Sequence, residues 1–288
     1  MTYPKFSCAP LLAWIVVSGC TGAAQTSPEP VVAAPDPTSE AVPSTSEVTS
    51  EPAAPEPPAT EKTILDLKDV TQNPKQYGWF NFKPNLDKLI LVGAPETEHI
   101  ALLWYTVPDG KVGLHYHAKT ESVYAINGTQ TDAKGTYPTG TVYFNPPGSG
   151  HQIKDSTGFF ILAYASPPDF KSTDKIGEYV PVRIDTTSKE LLTTYAFQEK
   201  VPGVKTYAVP LDGAGGMSST LVALDGAGAT LVYDGNYVLV LKGKCSIDGK
   251  ALGEQALVVT KTTAPERFAL STAGAEPCLT MGLSFQPK

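Results

Sequence analysis

Only four histidines occur in 288 residues, and two stand one residue apart, His115 and His117, with Glu121 four positions further on. The surrounding stretch, "GLHYHAKTESVYAING" (113–128), is otherwise apolar and β-prone. Alternate side chains of an extended strand share a face, so His115 and His117 point one way and Tyr116 the other. A turn after His117 would return Glu121 to the same side. Two imidazoles and a carboxylate in one apolar space are costly without a partner. A divalent cation is such a partner, and this mixture of nitrogen and oxygen donors suits first-row transition metals.

A second pattern follows. "GTVYFNPPGSGHQIKD" (140–155) places Gly140, Pro146, Gly148, His151 and Asp155 in order, and His151 lies 30 residues after Glu121. Residues 110–128 resemble the first cupin motif and residues 140–155 resemble the second. The resemblance implies a jelly-roll β-barrel. Carried over position by position, it implies one divalent transition metal (Fe, Mn, Zn, Ni, Co or Cu) held by His115, His117, Glu121 and His151. Gly148 and Gly150 would permit the tight turn that delivers His151. A six-coordinate ion would keep two positions for water, substrate or dioxygen. Val123, Ala125 and Ile153 share strand parity with the ligands and are expected to line the cavity. The sequence departs from the family pattern twice. Asp109 stands where glycine is usual, with Gly110 one position later. Asp155 replaces the final asparagine and is expected to bring negative charge near the cavity.

The elements that must position these residues read as strands. "KLILVG" (88–93), "IALLWYTV" (100–107), "SVYAI" (122–126), "TVYF" (141–144) and "GFFILAYA" (158–165) are rich in branched and aromatic residues, with Gly, Pro, Asn or Asp between them. Such spacing predicts a sandwich or barrel. "SKELLTTYAF" (188–197) predicts one short helix, and Asn127-Gly128 a hairpin turn. The aromatic group Trp79, Phe80 and Phe82 is expected in core packing, with a place at one barrel mouth or against a ligand as the rival. His99, among acidic and polar residues, reads as a surface or edge histidine.

The second half repeats the layout. Residues 237–259 lie over 122–144 at an offset of 115, which puts Gly243 on Gly128, while Gly253 reaches Gly140 with a two-residue shift, at an offset of 113. The expected fold is therefore all-β, with two tandem cupin domains, 61–172 and 173–288. By the offset of 115 Thr230, Val232 and Asn236 stand for His115, His117 and Glu121, so the second barrel reads as degenerate and without metal. Cys245 and Cys278 lie in this half, either paired in a disulfide or as two buried thiols.

The start of the chain is different in kind. "LLAWIVV" (11–17) is an apolar run too short to span a bilayer as a helix, preceded by Lys5. Val17-Ser18-Gly19-Cys20 resembles a bacterial lipobox, which implies cleavage before Cys20 and lipid on that cysteine. Thr21 follows, not the aspartate associated with inner-membrane retention, so the expected location is the outer membrane, facing the periplasm. Residues 21–60 are rich in Pro, Ala, Ser, Thr and Glu, have no aromatic residue and read as a disordered tether. Six carboxylates here carry most of the net charge of −7, which leaves the folded part almost neutral and gives nucleic-acid binding no support.

The expected partners are the membrane, through Cys20, a small-molecule ligand and, as a homodimer, a second copy of the chain. No CxxC, HExxH, GxSxG or phosphate-binding glycine loop occurs. Two functions from different classes fit: a metal-dependent, oxygenase-type enzyme acting on a small organic molecule, and a non-catalytic module of the cell envelope that senses a small molecule or a metal. A purely structural protein is the third reading.

Overall fold

The computed structural model describes residues 61–274 and 276–286. The expected leader, Cys20 and the tether lie outside the described residues. No helix among those described is long and apolar enough to cross a membrane.

Among the described residues, eleven strands run from Thr63 to Asp185. They are β1 (Thr63–Asp66), β2 (Phe80–Lys83), β3 (Leu86–Gly93), β4 (His99–Tyr105), β5 (Val112–His117) and β6 (Glu121–Thr131). Then follow β7 (Thr136–Pro138), β8 (Thr141–Asn145), β9 (Ser149–Ile153), β10 (Asp155–Tyr164) and β11 (Val182–Asp185). Helix α1 (Leu67–Gln72) follows β1, capped by the Asp66 carboxylate, which accepts from the Lys68 N–H. Each of the five apolar runs falls on a strand. The helix expected in 188–197 is one turn, α2 (Leu191–Thr194), because β-branched and aromatic residues follow it.

The second half contains β12 (Gln198–Val201), β13 (Val204–Ala208), β14 (Met217–Leu224), β15 (Thr230–Gly235) and β16 (Tyr237–Lys242). It ends with β17 (Cys245–Ile247), β18 (Lys250–Leu252), β19 (Ala256–Val259), β20 (Glu266–Thr272) and β21 (Cys278–Phe285). The two large sheets have matching orders, β11-β8-β6-β10-β4-β3-β2 and β1-β19-β16-β21-β14-β13-β12. The overlay of 237–259 on 122–144 puts β16 on β6 and β19 on β8, which hold equivalent places. Smaller sheets complete each half, β5-β9 in the first and β15-β20-β17-β18 in the second.

The sheets do not respect a boundary at 172/173. Strand β11 lies beyond it and pairs with β8 of the first half, while β1, the first strand among the described residues, pairs with β19 of the second. Each large sheet thus has one edge covered by a short strand from outside its own expected segment. Such pairing is made by backbone groups that any sequence carries, so side-chain patterning does not announce it.

Three cores result. Along β6, Val123 and Ala125 face the first barrel's interior with Leu103 and Phe160. Tyr124 and Ile126 face the opposite way, into a core shared with Leu239, Leu257 and Leu283 of the second half. The third core fills the second barrel with Val238, Val240, Phe268 and Leu270. Strands buried on both faces read as continuous apolar runs, which is why "SVYAI" shows no polar alternation. Cys245 and Cys278 are joined by a disulfide inside the third core, with Cα atoms 5.5 Å apart.

Asn127-Gly128 is not a hairpin turn. It lies within β6, where Phe159 faces Asn127 and Phe160 faces Ala125, leaving Ile126 as the extra residue of a bulge. Gly128 has φ +106°, and a Cβ there would sit 1.9 Å from the Thr157 carbonyl oxygen. The glycine serves a close backbone approach to β10 rather than a chain reversal.

Candidate metal centre

Strands β5 and β9 run antiparallel, with His115 opposite His151 and His117 opposite Ser149. Alternation aligns the first two imidazoles, and the register across β5 and β9 adds the third. Glu121 opens β6, opposite Asn145 on one side and Tyr164 on the other. One donor atom from each of His115, His117, Glu121 and His151 lies within 4.8 Å of the others, and all four residues are buried. The glycines before His151 divide the work. Gly148 has φ +79°, while a Cβ on Gly150 would come within 2.6 Å of the His115 carbonyl oxygen. Asp109, where the family usually has glycine, takes the left-handed conformation itself, at φ +60°.

Hydrogen bonds orient the rings. His115 Nδ1 donates to the Gly113 carbonyl at 2.8 Å, which leaves Nε2 free. His151 Nδ1 donates to Asp132 Oδ2 at 3.0 Å, and its Nε2 lies 3.3 Å from Glu121 Oε2. His117 Nε2 is also 3.3 Å from that oxygen, which accepts from Asn145 Nδ2 at 2.7 Å. Neither ring nitrogen of His117 has a hydrogen-bond partner, although the side chain is fully buried.

Charge follows from these contacts. Burial holds His115 down to about 4 and His117 down to about 3, so both are neutral imidazoles able to coordinate. Burial also opposes charge on Glu121, but His117, once protonated in acid, and His151 outweigh it and hold the carboxyl well below its usual range. Burial opposes charge on His151 too. There Glu121 and Asp132 win and raise it to about 9. Two carboxylates therefore surround one imidazolium, a cluster with an excess of negative charge. A cation at the convergence of the three imidazoles and Glu121 would use the unpartnered nitrogen of His117 and offset that charge. The residues present fit the ion, and His115, His117, Glu121 and His151 form a metal-binding site.

The supporting residues were not singled out from the sequence. Asp132 sits in "TDAKG" and reads as a turn residue. Its Oδ1 does accept from the N–H groups of Lys134 and Gly135, at 2.6 and 3.0 Å. The other oxygen serves His151. Asp155, expected near the cavity, is exposed at the start of β10 and lies outside the lining, because side-chain parity turns it outward. A second network joins Tyr143 OH to Gln130 Oε1 at 2.7 Å and Gln130 Nε2 to Tyr105 OH at 3.2 Å.

The cavity beside the ligands has about 400 Å³ of space, open solvent at its mouth included. Val123 and Ile153 line it, with Leu86, Leu103 and Leu162. Ala125 does not. Its side chain ends at the methyl group, opposite Phe160 in the core. The aromatic group divides: Trp79 packs edge-on to Trp104 with centroids 5.8 Å apart, while Phe82 lines the cavity. His99 is not a surface residue. It is fully buried on β4, with Nε2 2.9 Å from Lys88 Nζ, because β4 is paired on both sides, by β3 and β10, where His99 lies opposite Gly93 and Tyr164.

In the second half, Thr230 and Val232 are exposed. Asn236 is buried, and its Oδ1 accepts from the Phe285 N–H at 2.7 Å. Among the described residues no second group of three such donors comes together.

Residues 67–167 match the family described as the ChrR Cupin-like domain. A Nostoc punctiforme protein provisionally named a dioxygenase superposes with a TM-score of 0.52 at 9% identity, over 78% of this chain and 83% of that one. The fold is the cupin fold. A variant of Bacillus subtilis oxalate decarboxylase superposes with a TM-score of 0.45 at 16% identity, over 80% of this chain and 78% of that one. Another structure of that enzyme, described by its Mn(II) centres, gives 0.41 at 16% identity, with 74% of each chain covered. No curated protein matches the chain in sequence.

Proposed function

We propose that this chain is a lipid-anchored cupin protein of the bacterial envelope. Its first barrel holds one divalent transition metal and acts, as an oxygenase-type enzyme, on a small organic molecule. The second barrel is a degenerate, metal-free cupin that packs against the first. The observation that carries this reading is an apolar cavity that ends on the His115 and His151 imidazoles and the Glu121 carboxylate, with His117 completing the same buried donor group.

Gly113 and Asp132 aim the imidazoles of His115 and His151, and Asn145 holds the carboxylate of Glu121. Tyr105 and Gln130 offer the cavity its neutral polar atoms, and the aliphatic wall excludes bulk water. A divalent ion held here supplies Lewis acidity and open coordination positions for a chelating molecule and dioxygen.

One observation favours the second reading, a binding or sensing module. The only histidines and carboxylate among the described lining residues are His115, His151 and Glu121, so no independent general base faces the cavity. The two readings separate by experiment. The protein is purified without oxygen or chelator, its metal is measured by mass spectrometry, and oxygen uptake is followed with candidate chelating substrates. About one equivalent of metal with oxygen uptake supports the enzyme. Metal and thermal stabilisation by a ligand without turnover support the sensor. Wild-type protein without metal after reconstitution would refute the metal site and the enzyme, and would leave a metal-free binding barrel. Anchoring at Cys20 is tested by metabolic labelling with a fatty-acid analogue, which Cys20→Ala must abolish.

A further inference from the structure

Lys88 is a charged residue inside the first barrel with no place in the metal site. It is 1% exposed. On β3 it alternates with Leu86 and lies opposite Leu103. Both leucines line the cavity, so Lys88 rises from the same inner face.

Its ammonium has an unusual set of neighbours. His99 Nδ1 is 2.8 Å from the Thr97 carbonyl, to which it must donate. His99 Nε2 is then an acceptor, and Lys88 Nζ donates to it at 2.9 Å. Around the rest of the ammonium lie two ring faces, with the centroids of Phe82 at 4.5 Å and Tyr164 at 5.1 Å. Both rings line the cavity. Among the described residues Lys88 forms no ion pair; its direct contacts are one neutral imidazole and two π faces, and the charge of Glu121, acting without contact, only partly offsets its burial. Burial holds this amine down to about 8, which leaves it charged at neutral pH. A buried cation of this kind lowers stability unless an anion joins it.

We propose that Lys88 determines the specificity of this cavity, its ammonium pairing with the carboxylate of a small organic acid that enters beside the metal site. The inference rests on the reading of the cavity as a small-molecule site and names its ligand class. Phe82 is the group that must move. It lies on the four-residue edge strand β2, whose pairing with β3 slips between Asn81 and Lys83, and its ring is only partly buried. Toward solvent, Lys83 Nζ lies 4.4 Å from the centroid of Phe170, another lining residue, and adds a second positive charge on the anion's approach.

The test uses the protein as purified, with straight-chain carboxylates from acetate to hexanoate and their amides as probes in isothermal titration calorimetry. The pairs match in size and differ in charge. Wild type is expected to bind at least one carboxylate tenfold or more tightly than its amide. Lys88→Met and Lys88→Gln are expected to lose that preference with unchanged metal content. Lys88→Gln retains a donor for His99, so it carries the test if Lys88→Met does not fold. No carboxylate preference in wild type would overturn the proposal. So would a preference retained in both variants, which assigns the anion to the metal. Metal content on the same samples reports separately on the metal reading.

Discussion

Asp132→Asn isolates the contribution of a residue that cannot touch the metal. In the wild type Asp132 Oδ1 holds the turn through the N–H groups of Lys134 and Gly135, and Oδ2 accepts from His151 Nδ1. An asparagine has one oxygen for both tasks. If that oxygen stays with the turn, an NH₂ group faces the Nδ1–H of His151, two donors against each other. His151 must then turn its ring or move its proton to Nε2, the nitrogen facing Glu121. The substitution also removes one of the two negative charges beside His151. Loss of a partner of this kind costs about 10- to 100-fold in metal affinity, or about 1.4 kcal/mol per tenfold. The assay is competition with a chromophoric chelator, after circular dichroism has shown an intact fold. Asp155→Asn is the control, since that carboxylate is exposed and should leave affinity unchanged. Wild-type affinity in a folded Asp132→Asn protein would refute the assignment of His151 Nε2 as a ligand held by Asp132.

Stripping the metal should lower stability by mass action, by about 4 kcal/mol relative to protein at a thousandfold excess of free metal over Kd, and scanning calorimetry with and without chelator reads it. His117→Ala should abolish that difference, and a chelator effect that survives the substitution would count against the site. Burial holds His99 down to about 4 against an unfolded value near 6.5, so the unfolded chain takes its proton first. This contribution is complete above pH 6.5 and is lost as pH falls toward 4, up to about 3 kcal/mol. Urea melts of metal-loaded His99→Gln should show a flatter acid limb than wild type. The disulfide between Cys245 and Cys278 spans a separation of 33 residues, for which chain entropy gives about 4 kcal/mol. Replacing both cysteines with alanine should lower the urea midpoint accordingly, and an unchanged midpoint would show that the crosslink contributes nothing.

What could be read before folding was local. Period-two alternation is a property of any strand, so His115 and His117 share a face as soon as β5 forms. The two motifs supplied Glu121 and His151 at their own spacings. Apolar runs such as "SVYAI" identified strands because both of their faces are buried. By contrast, Asp132 was concealed by its own local chemistry, since one carboxylate does two tasks and only the turn is visible in "TDAKG".

Other features were decided only by the tertiary structure. His99 follows polar sequence neighbours and Lys88 opens an apolar run, and it is sheet pairing across β3, β4 and β10 that brings them together inside a barrel. Gly128 reads as a turn until β10 lies against it. Strands β1 and β11 complete sheets outside their own segments because edge pairing uses backbone groups common to every residue. The chain by itself determined which donors a metal would find. Which carboxylate orients them, which cation shares their barrel and which strand closes each sheet depend on contacts between distant segments, and no local pattern encodes those contacts.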